Sequence, residues 1–213
     1  MRSELYNWKY NSLAQKIKPV LERKGFEVYV VNSTDELLST VSSIIPEKST
    51  VTSGGSLSVS ESSVLELLKS GKYNFLDRTN AKTPEEKREI ELAAFRSDYY
   101  VCSTNAITED GKLIFLDGNG NRVAAVIYGP KNVLLISSLN KVVKDIEEAR
   151  ERLRYISPMN SKRLNLKTPC TINGLCQDCL SSDRICNYFV VVESSLRQPK
   201  RIKIILTTFE LGL

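Results

Sequence analysis

The chain has 213 residues, of which 41% are hydrophobic and 26% are charged, and this composition is typical of one globular domain. Its formal net charge is +5 and it contains no histidine, which excludes a histidine general base, a Ser/His/Asp triad and histidine-ligated zinc or haem. No apolar run approaches the roughly 20 residues that cross a bilayer, and no secretory signal is recognisable, so we expect a cytoplasmic protein without a membrane span.

The first half of the chain alternates segments of helical and extended periodicity. Apolar residues at helical spacing predict a first helix over 13–21, which Pro19 is expected to kink or restart. Ser33 and Glu36 form a capping-box pattern, and Thr83-Pro84 is typical of a helix start. Strands are predicted at 26–31, 50–52, 74–76 and 99–102, and further helices at 37–45 and 64–68.

The strongest turn signal of the chain lies in its second half. Asp117-Gly118-Asn119-Gly120 tolerates the positive φ of a tight turn and predicts a β-hairpin of strands 112–116 and 122–128. A strand at 131–136, a helix from Val142 that ends at Pro158, and strands at 188–192 and 202–206 follow. This alternation favours a single α/β domain over 1–213, with a mainly parallel sheet covered by helices on both faces.

Four of the five cysteines lie close together within a loop at 168–187. Their spacing is C-x5-C-x2-C-x6-C, and they are Cys170, Cys176, Cys179 and Cys186. In a reducing cytosol such a cluster favours a metal site over disulfides. One short-spaced pair with two outlying thiols favours a 4Fe-4S cluster, whose negative charge the nearby Arg and Lys side chains would offset, and zinc is the alternative. The fifth cysteine, Cys102, is expected to be a buried thiol.

Two short polar loops are candidates for a ligand site. Gly54-Gly55-Ser56 follows the predicted strand 50–52, and Thr104 and Asn105 follow the predicted strand 99–102. Loops after parallel strands meet at one edge of the sheet, where backbone amides can bind a carboxylate or a phosphate. We therefore expect both loops to line one pocket for a small organic anion, with Asn121 and Arg122 of the predicted hairpin beside it.

The chain contains the segments SGGSLS, SDYYVCSTNAITEDGKLIFLDGNGNRVAAVIYGPKNV, TPCTINGLCQDCLSSDRICN and RIKIILTTFELG. Together they resemble the lactate-utilisation proteins of the LUD-domain family, in their stand-alone form with a cysteine-rich C-terminal segment. The resemblance implies a fold similar to the ribose-phosphate isomerase and CoA-transferase superfamily. It also implies a part in oxidising lactate to pyruvate beside iron–sulfur partner proteins, and it makes Glu109 the nearest counterpart of the acyl-accepting glutamate of CoA transferases.

Two functions from different classes fit these features. The first is a lactate-utilisation protein, an iron–sulfur-binding oxidoreductase component that binds a small organic anion and works with iron–sulfur redox partner proteins. The alternative is a transferase or isomerase-like enzyme that handles an acyl or sugar-phosphate substrate through Glu109 and carries a structural zinc site. Neither involves nucleic acid, because the basic residues after Arg150 lack interleaved aromatics. The sequence leaves open whether the chain forms a homo-oligomer.

Overall fold

The computed structural model describes residues 2–213, with side chains from Glu4 onward. Its helices are α1 (Arg2–Arg23), α2 (Thr34–Ile44), α3 (Leu57–Glu61), α4 (Val64–Lys69), α5 (Pro84–Ala93), α6 (Asn121–Tyr128), α7 (Ile146–Arg163) and α8 (Cys170–Asn173). Its strands are β1 (Glu27–Val31), β2 (Thr50–Ser53), β3 (Asn74–Leu76), β4 (Tyr99–Cys102), β5 (Ala106–Thr108), β6 (Leu113–Asp117), β7 (Asn132–Ser138), β8 (Val142–Val143), β9 (Tyr188–Val192) and β10 (Ile202–Thr207).

The main sheet has the strand order β1-β10-β7-β4-β2-β3, and all of its neighbouring strands are parallel. Helices α1 and α6 pack on one face of this sheet, and α2, α3 and α4 pack on the other. The central strands β7 and β10 are buried along almost their whole length, as their continuous apolar sequences predict for strands covered on both faces. The predicted α/β fold with a mainly parallel sheet is therefore confirmed.

A second, smaller sheet has the order β8-β5-β6-β9. Within it, β6 is antiparallel to both β5 and β9. One face of this sheet joins the core beneath α1, and the other packs against α7 through Ile114, Leu153 and Ile156. This separate sheet was not predicted from the sequence, because β6 and β9 lie far apart in the chain and their pairing has no local signal.

The predicted β-hairpin around Asp117 is wrong in its second half. Residues after the Gly-Asn-Gly turn form helix α6, with Val123 and Val126 buried on one side. Gly120 adopts φ 79° at the helix start, and the Asp117 side chain accepts a hydrogen bond from the backbone N–H of Val123 at 3.1 Å. The Asp-Gly-Asn-Gly sequence therefore connects a strand to a helix, and β6 takes β9 as its antiparallel neighbour instead.

Two helices continue through prolines, one predicted to kink or restart its helix and the other predicted to end it. Helix α1 includes Pro19, and α7 includes Pro158 and ends at Arg163 instead of stopping at the proline. In α7 the Ser157 hydroxyl donates to the Leu153 carbonyl, and both Ser157 and Pro158 are buried. Packing against the rest of the protein thus offsets the hydrogen bond that proline cannot make. Val142, predicted to begin this helix, lies in β8.

Within residues 2–213, none of the helices combines the length and the apolar character that crossing a membrane demands.

Candidate ligand-binding site

The two predicted ligand loops lie side by side. Strands β2 and β4 are adjacent and parallel, with Ser53 opposite Val101, so the chain leaves both strands at the same edge of the main sheet. Both loops line a cavity of about 570 Å³. The predicted juxtaposition is confirmed, and the binding of a ligand there stays a prediction.

Most residues predicted for the site line this cavity. Gly54 is not among the lining residues, and a Cβ at this position would approach the Tyr100 hydroxyl to 2.6 Å. The lining residues that the sequence analysis named are Gly55, Ser56, Thr104, Asn105, Asn121 and Arg122. Cys102 is fully buried nearby, and burial raises the pKa of its thiol to about 12, so it is a neutral buried thiol as expected.

Lys141 is a site residue that the sequence analysis missed. It follows the central strand β7 and is only 3% exposed, yet it lines the cavity. Its Nζ donates to Ser58 Oγ at 2.6 Å and to Ser103 Oγ at 3.1 Å, so it joins the loops after β2 and β4. The rule that placed those loops at the site, proximity to the carboxyl end of a parallel strand, would also have identified Lys141.

Burial also changes the acid–base chemistry of this lysine. Desolvation, and after it the nearby guanidinium groups of Arg152 and Arg122, lower the pKa of Lys141 to about 7. Within the described part of the chain, no carboxylate forms an ion pair with the Lys141 ammonium group. Lys141 is therefore present as both ammonium and neutral amine near neutral pH.

Arg122 is held in place by the protein itself. Its guanidinium group donates to the carbonyl oxygens of Ser103 at 3.0 Å and Leu116 at 2.6 Å. It also donates to Asn105 Oδ1 at 2.8 Å, and it lies over the Phe115 ring. Arg122 thus positions the loop after β4, and its predicted contact with an anionic ligand remains untested.

The cavity has a surplus of positive charge. Its cationic lining residues are Arg78, Lys87, Arg122, Lys141, Arg163 and Arg184, and its acidic ones are Glu91, Asp117 and Asp183. Two of the acids are already engaged, because Glu91 pairs with Arg78 at 3.3 Å and Asp117 lies 3.7 Å from Arg122. Surplus positive charge in a concave site favours an anionic ligand. Arg163 and Arg184 had no sequence signal, since their elements fold back over the cavity.

Glu109 lies apart from the cavity. It occupies the tight turn between β5 and β6, where its carboxylate pairs with Lys16 Nζ at 2.6 Å. The side chain is 42% exposed, and Glu109 is absent from the residues that line the cavity. The structure therefore does not bring the predicted acyl-accepting glutamate together with the predicted ligand loops.

The cysteine segment forms one wall of the cavity. Residues Ser182 to Ile185, between Cys179 and Cys186, line it. All four clustered cysteines are free thiols, with Cys170 buried and Cys176 exposed. The Arg184 guanidinium donates to the Cys186 carbonyl at 3.1 Å, and its hydrogen bond with the Cys186 side chain raises the pKa of Arg184.

The expected convergence of the four sulfurs is not found. Among residues 2–213, no three Cys, Asp or Glu side chains are grouped closely enough to hold a metal ion. The donor set suits a metal, because four free thiols lie within one short segment of the chain. The Arg184 guanidinium group beside Cys186 would offset part of the charge of the thiolates. The thiols are therefore chemically suited to a metal, although they are not grouped around one point. Metal binding and the ordering of the metal's protein ligands are coupled.

Comparison with known proteins identifies similar chains. A family model described as the LUD domain matches residues 14–207. No curated protein matches the chain. Among solved structures, a DUF162 family protein from Deinococcus radiodurans has 12% sequence identity and a TM-score of 0.55, with 93% of this chain and 98% of that chain covered. This likeness shows a shared fold.

Two further solved structures are more distant. The chain is similar to eIF2B beta from Chaetomium thermophilum at 15% identity and a TM-score of 0.37, with 54% of this chain and 44% of that chain covered. For eIF2B delta from the same organism the identity is 12% and the TM-score 0.39, with 94% of this chain and 61% of that chain covered.

Proposed function

Because this chain belongs to the LUD domain family, whose members are proteins of the lactate-utilisation type, we propose that it is a component of lactate-to-pyruvate oxidation. In this proposal the cavity at the strand ends binds a small organic anion. The four clustered cysteines hold an iron–sulfur cluster beside that anion, and an iron–sulfur partner protein exchanges electrons with it.

The observation that carries the proposal is the buried ammonium group of Lys141. Its hydrogen-bond partners are two hydroxyls and, at 3.5 Å, the Thr104 carbonyl. A buried cation without a counter-ion is costly. A carboxylate ligand in the cavity would supply the missing negative charge and a charge-assisted acceptor for the ammonium group.

The cavity is large enough to hold more than a single small acid. Its volume of about 570 Å³ lies within the range of roughly 300–1,000 Å³ that is usual for small-molecule sites. A three-carbon acid would fill only part of this space. The remainder can hold a second reactant or a longer ligand of the same charge, and Arg163 and Arg184 lie along it.

The cysteine segment would contribute redox chemistry at the wall of the cavity. Cys170, Cys176, Cys179 and Cys186 would hold the cluster, and zinc is the alternative metal. When bound, a 4Fe-4S cluster supplies one-electron transfer. Arg184 would offset part of the negative charge of four thiolates, because its guanidinium group already lies against Cys186.

The experiment that tests the proposal measures anion binding by calorimetry on the full chain. We expect lactate or pyruvate to bind to the wild-type chain. Lys141→Met should weaken that binding about tenfold or more, because a hydrogen bond to a charged group is worth about 1.5–3 kcal/mol.

The matched control is Glu109→Gln, which also removes a charge but lies outside the cavity. This variant should bind the anion as tightly as the wild-type chain does. Equal losses of affinity in both variants, or a wild-type chain that binds neither acid, would contradict the assignment of the cavity.

A further inference from the structure

We propose that Lys141 captures a 2-oxo acid in the cavity by forming an imine between its Nζ and the ketone carbon. The proposal rests on the proposed function for the class of ligand, and adds a covalent step at the same site. Lactate has a hydroxyl group in place of the ketone and cannot react in this way. Lys141 would therefore distinguish the oxidised acid from the reduced one.

The position of Lys141 suits this reaction. It ends the short 3-10 turn Leu139–Lys141 directly after β7, so a central strand of the main sheet fixes it at the floor of the cavity. The Nζ atom is held by Ser58 Oγ at 2.6 Å and Ser103 Oγ at 3.1 Å. An amine fixed at the floor of a cavity requires little reorganisation before it attacks a bound carbonyl group.

The charges around Lys141 favour its neutral, nucleophilic form. Arg122 from α6 and Arg152 from α7 disfavour another positive charge, whereas Glu61 from α3 and the Cys102 thiol from β4 act in the opposite direction. With burial as the largest effect, the pKa of Lys141 falls to about 7. Lysines in desolvated sites beside other cations are activated as nucleophiles in this way.

The chemistry of the ligand links its ketone to the charged group that the cavity favours. A 2-oxo acid carries the ketone on the carbon next to its carboxylate. The surplus of cations in the cavity favours binding of the carboxylate, and the ketone carbon is the atom bonded directly to it.

The step balances without any further reactant. The neutral amine attacks the ketone carbon, and the ketone oxygen takes the proton that the amine loses, which gives a carbinolamine. The C–O bond then breaks and the oxygen leaves as water, which carries away both protons of the original amine. The Ser58 and Ser103 hydroxyls, already bonded to Nζ, can pass these protons between nitrogen and oxygen.

The test treats the full chain with pyruvate and then with sodium borohydride, which reduces an imine to a stable secondary amine. Intact-protein mass spectrometry should show one adduct per chain, and peptide fragmentation should place it on Lys141. Lactate should give none. The yield should rise with pH through about 7, as the Lys141 amine loses its proton.

Two variants complete the test. Lys144→Arg replaces an exposed lysine close by in the chain and should keep the adduct, whereas Lys141→Arg keeps a cation but cannot form an imine and should lose it. Because the adduct is mapped on the wild-type chain, the result does not depend on the folding of either variant. Pyruvate that binds without an adduct on Lys141, or adducts spread over several lysines, would overturn the imine and leave the proposed function standing. Binding of neither acid would overturn both.

Discussion

Arg122 and Lys141 show how two cations of one cavity differ in role. Arg122 donates to the carbonyl oxygens of Ser103 and Leu116 and to Asn105 Oδ1, so the protein itself uses most of its donors. Lys141 donates chiefly to hydroxyls, which can turn toward a ligand. At the scale of single residues, we therefore expect Arg122 to matter for stability and Lys141 for binding.

Replacing Arg122 with Ala should lower the free energy of unfolding by about 2–3 kcal/mol, because buried carbonyl groups lose their donor. Urea denaturation measures this loss. Arg154→Ala, at an exposed position of α7, should change stability by no more than about 0.5 kcal/mol. An Arg122→Ala chain as stable as wild type but unable to bind an anion would reverse the roles given to the two cations.

Lys141 should make stability depend on pH in a defined window. The pKa of Lys141 is lowered from 10.5 to about 7 in the folded chain, so between these values the unfolded chain binds more protons and stability rises with pH. Lys141→Met removes this dependence. As the pH falls from about 10 to about 7, the free energy of unfolding of the variant should rise by about 3 kcal/mol relative to that of wild type.

Denaturation curves of both chains at several pH values measure that change. At low pH the folded wild-type chain must hold a buried charge, whereas the Met variant holds none. A stability difference that stays constant across the window, or that favours wild type as the pH falls, would contradict the lowered pKa.

At the scale of elements, helix α6 and the segment after α8 differ in how many interactions with the rest of the protein hold them in place. Helix α6 is defined by Gly120, by the Asp117 cap and by buried Val123 and Val126. The segment after α8 instead contains long stretches without regular secondary structure, and its thiols are not grouped around a common point. A metal would give this segment the interactions that α6 obtains from the core.

Cys176→Ser should therefore remove the metal from the chain. We expect anaerobically purified wild-type protein to contain iron and sulfide and to absorb blue light. The variant should contain neither, because the four thiolates together would hold the 4Fe-4S cluster. The matched control is Cys102→Ala, which removes the fifth cysteine from a fully buried position outside the segment and should keep the metal. Full iron content in Cys176→Ser would contradict the site, and colourless wild-type protein with bound zinc would select the alternative metal.

At the scale of the whole molecule, the central strands join the two faces of the main sheet. Ile204 of β10 lies opposite Val28 of β1 and Leu135 of β7. It is fully buried in the cluster that also contains α1, α6 and part of the smaller sheet. The packing of this cluster therefore holds together elements from both ends of the chain.

Ile204→Ala should lower the free energy of unfolding by about 2–5 kcal/mol, because it removes buried methyl and methylene groups and leaves a cavity. Ile127→Ala makes the same change in α6 at a side chain that is 53% exposed, and should cost much less. Guanidinium denaturation compares the two. Similar losses in both variants would show that the cluster around Ile204 is not the main source of stability.

The sequence by itself determined the elements that have strong local signals. Ser33 caps α2 and Thr83 caps α5 as predicted, with hydrogen bonds from Glu36 N and Glu86 N. The apolar runs of β7 and β10 gave the central strands. The strand-end rule also brought the loops at Gly55 and Thr104 to one cavity. The helices and strands follow from short-range periodicity and capping patterns, which can be recognised in the sequence without knowing the fold.

The tertiary structure alone decided what depends on distant partners. Residues 121–128 form a helix and β6 pairs with β9, far along the chain, although the same Asp-Gly-Asn-Gly turn suits a hairpin equally well. Glu109 is turned toward Lys16 and away from the cavity, while Lys141 acquires its lowered pKa only when Arg122, Arg152 and the burying core surround it. Burial, the pairing of strands that are distant in sequence, and the position of a charge are properties of the packed molecule, because each is set by residues that meet only after folding.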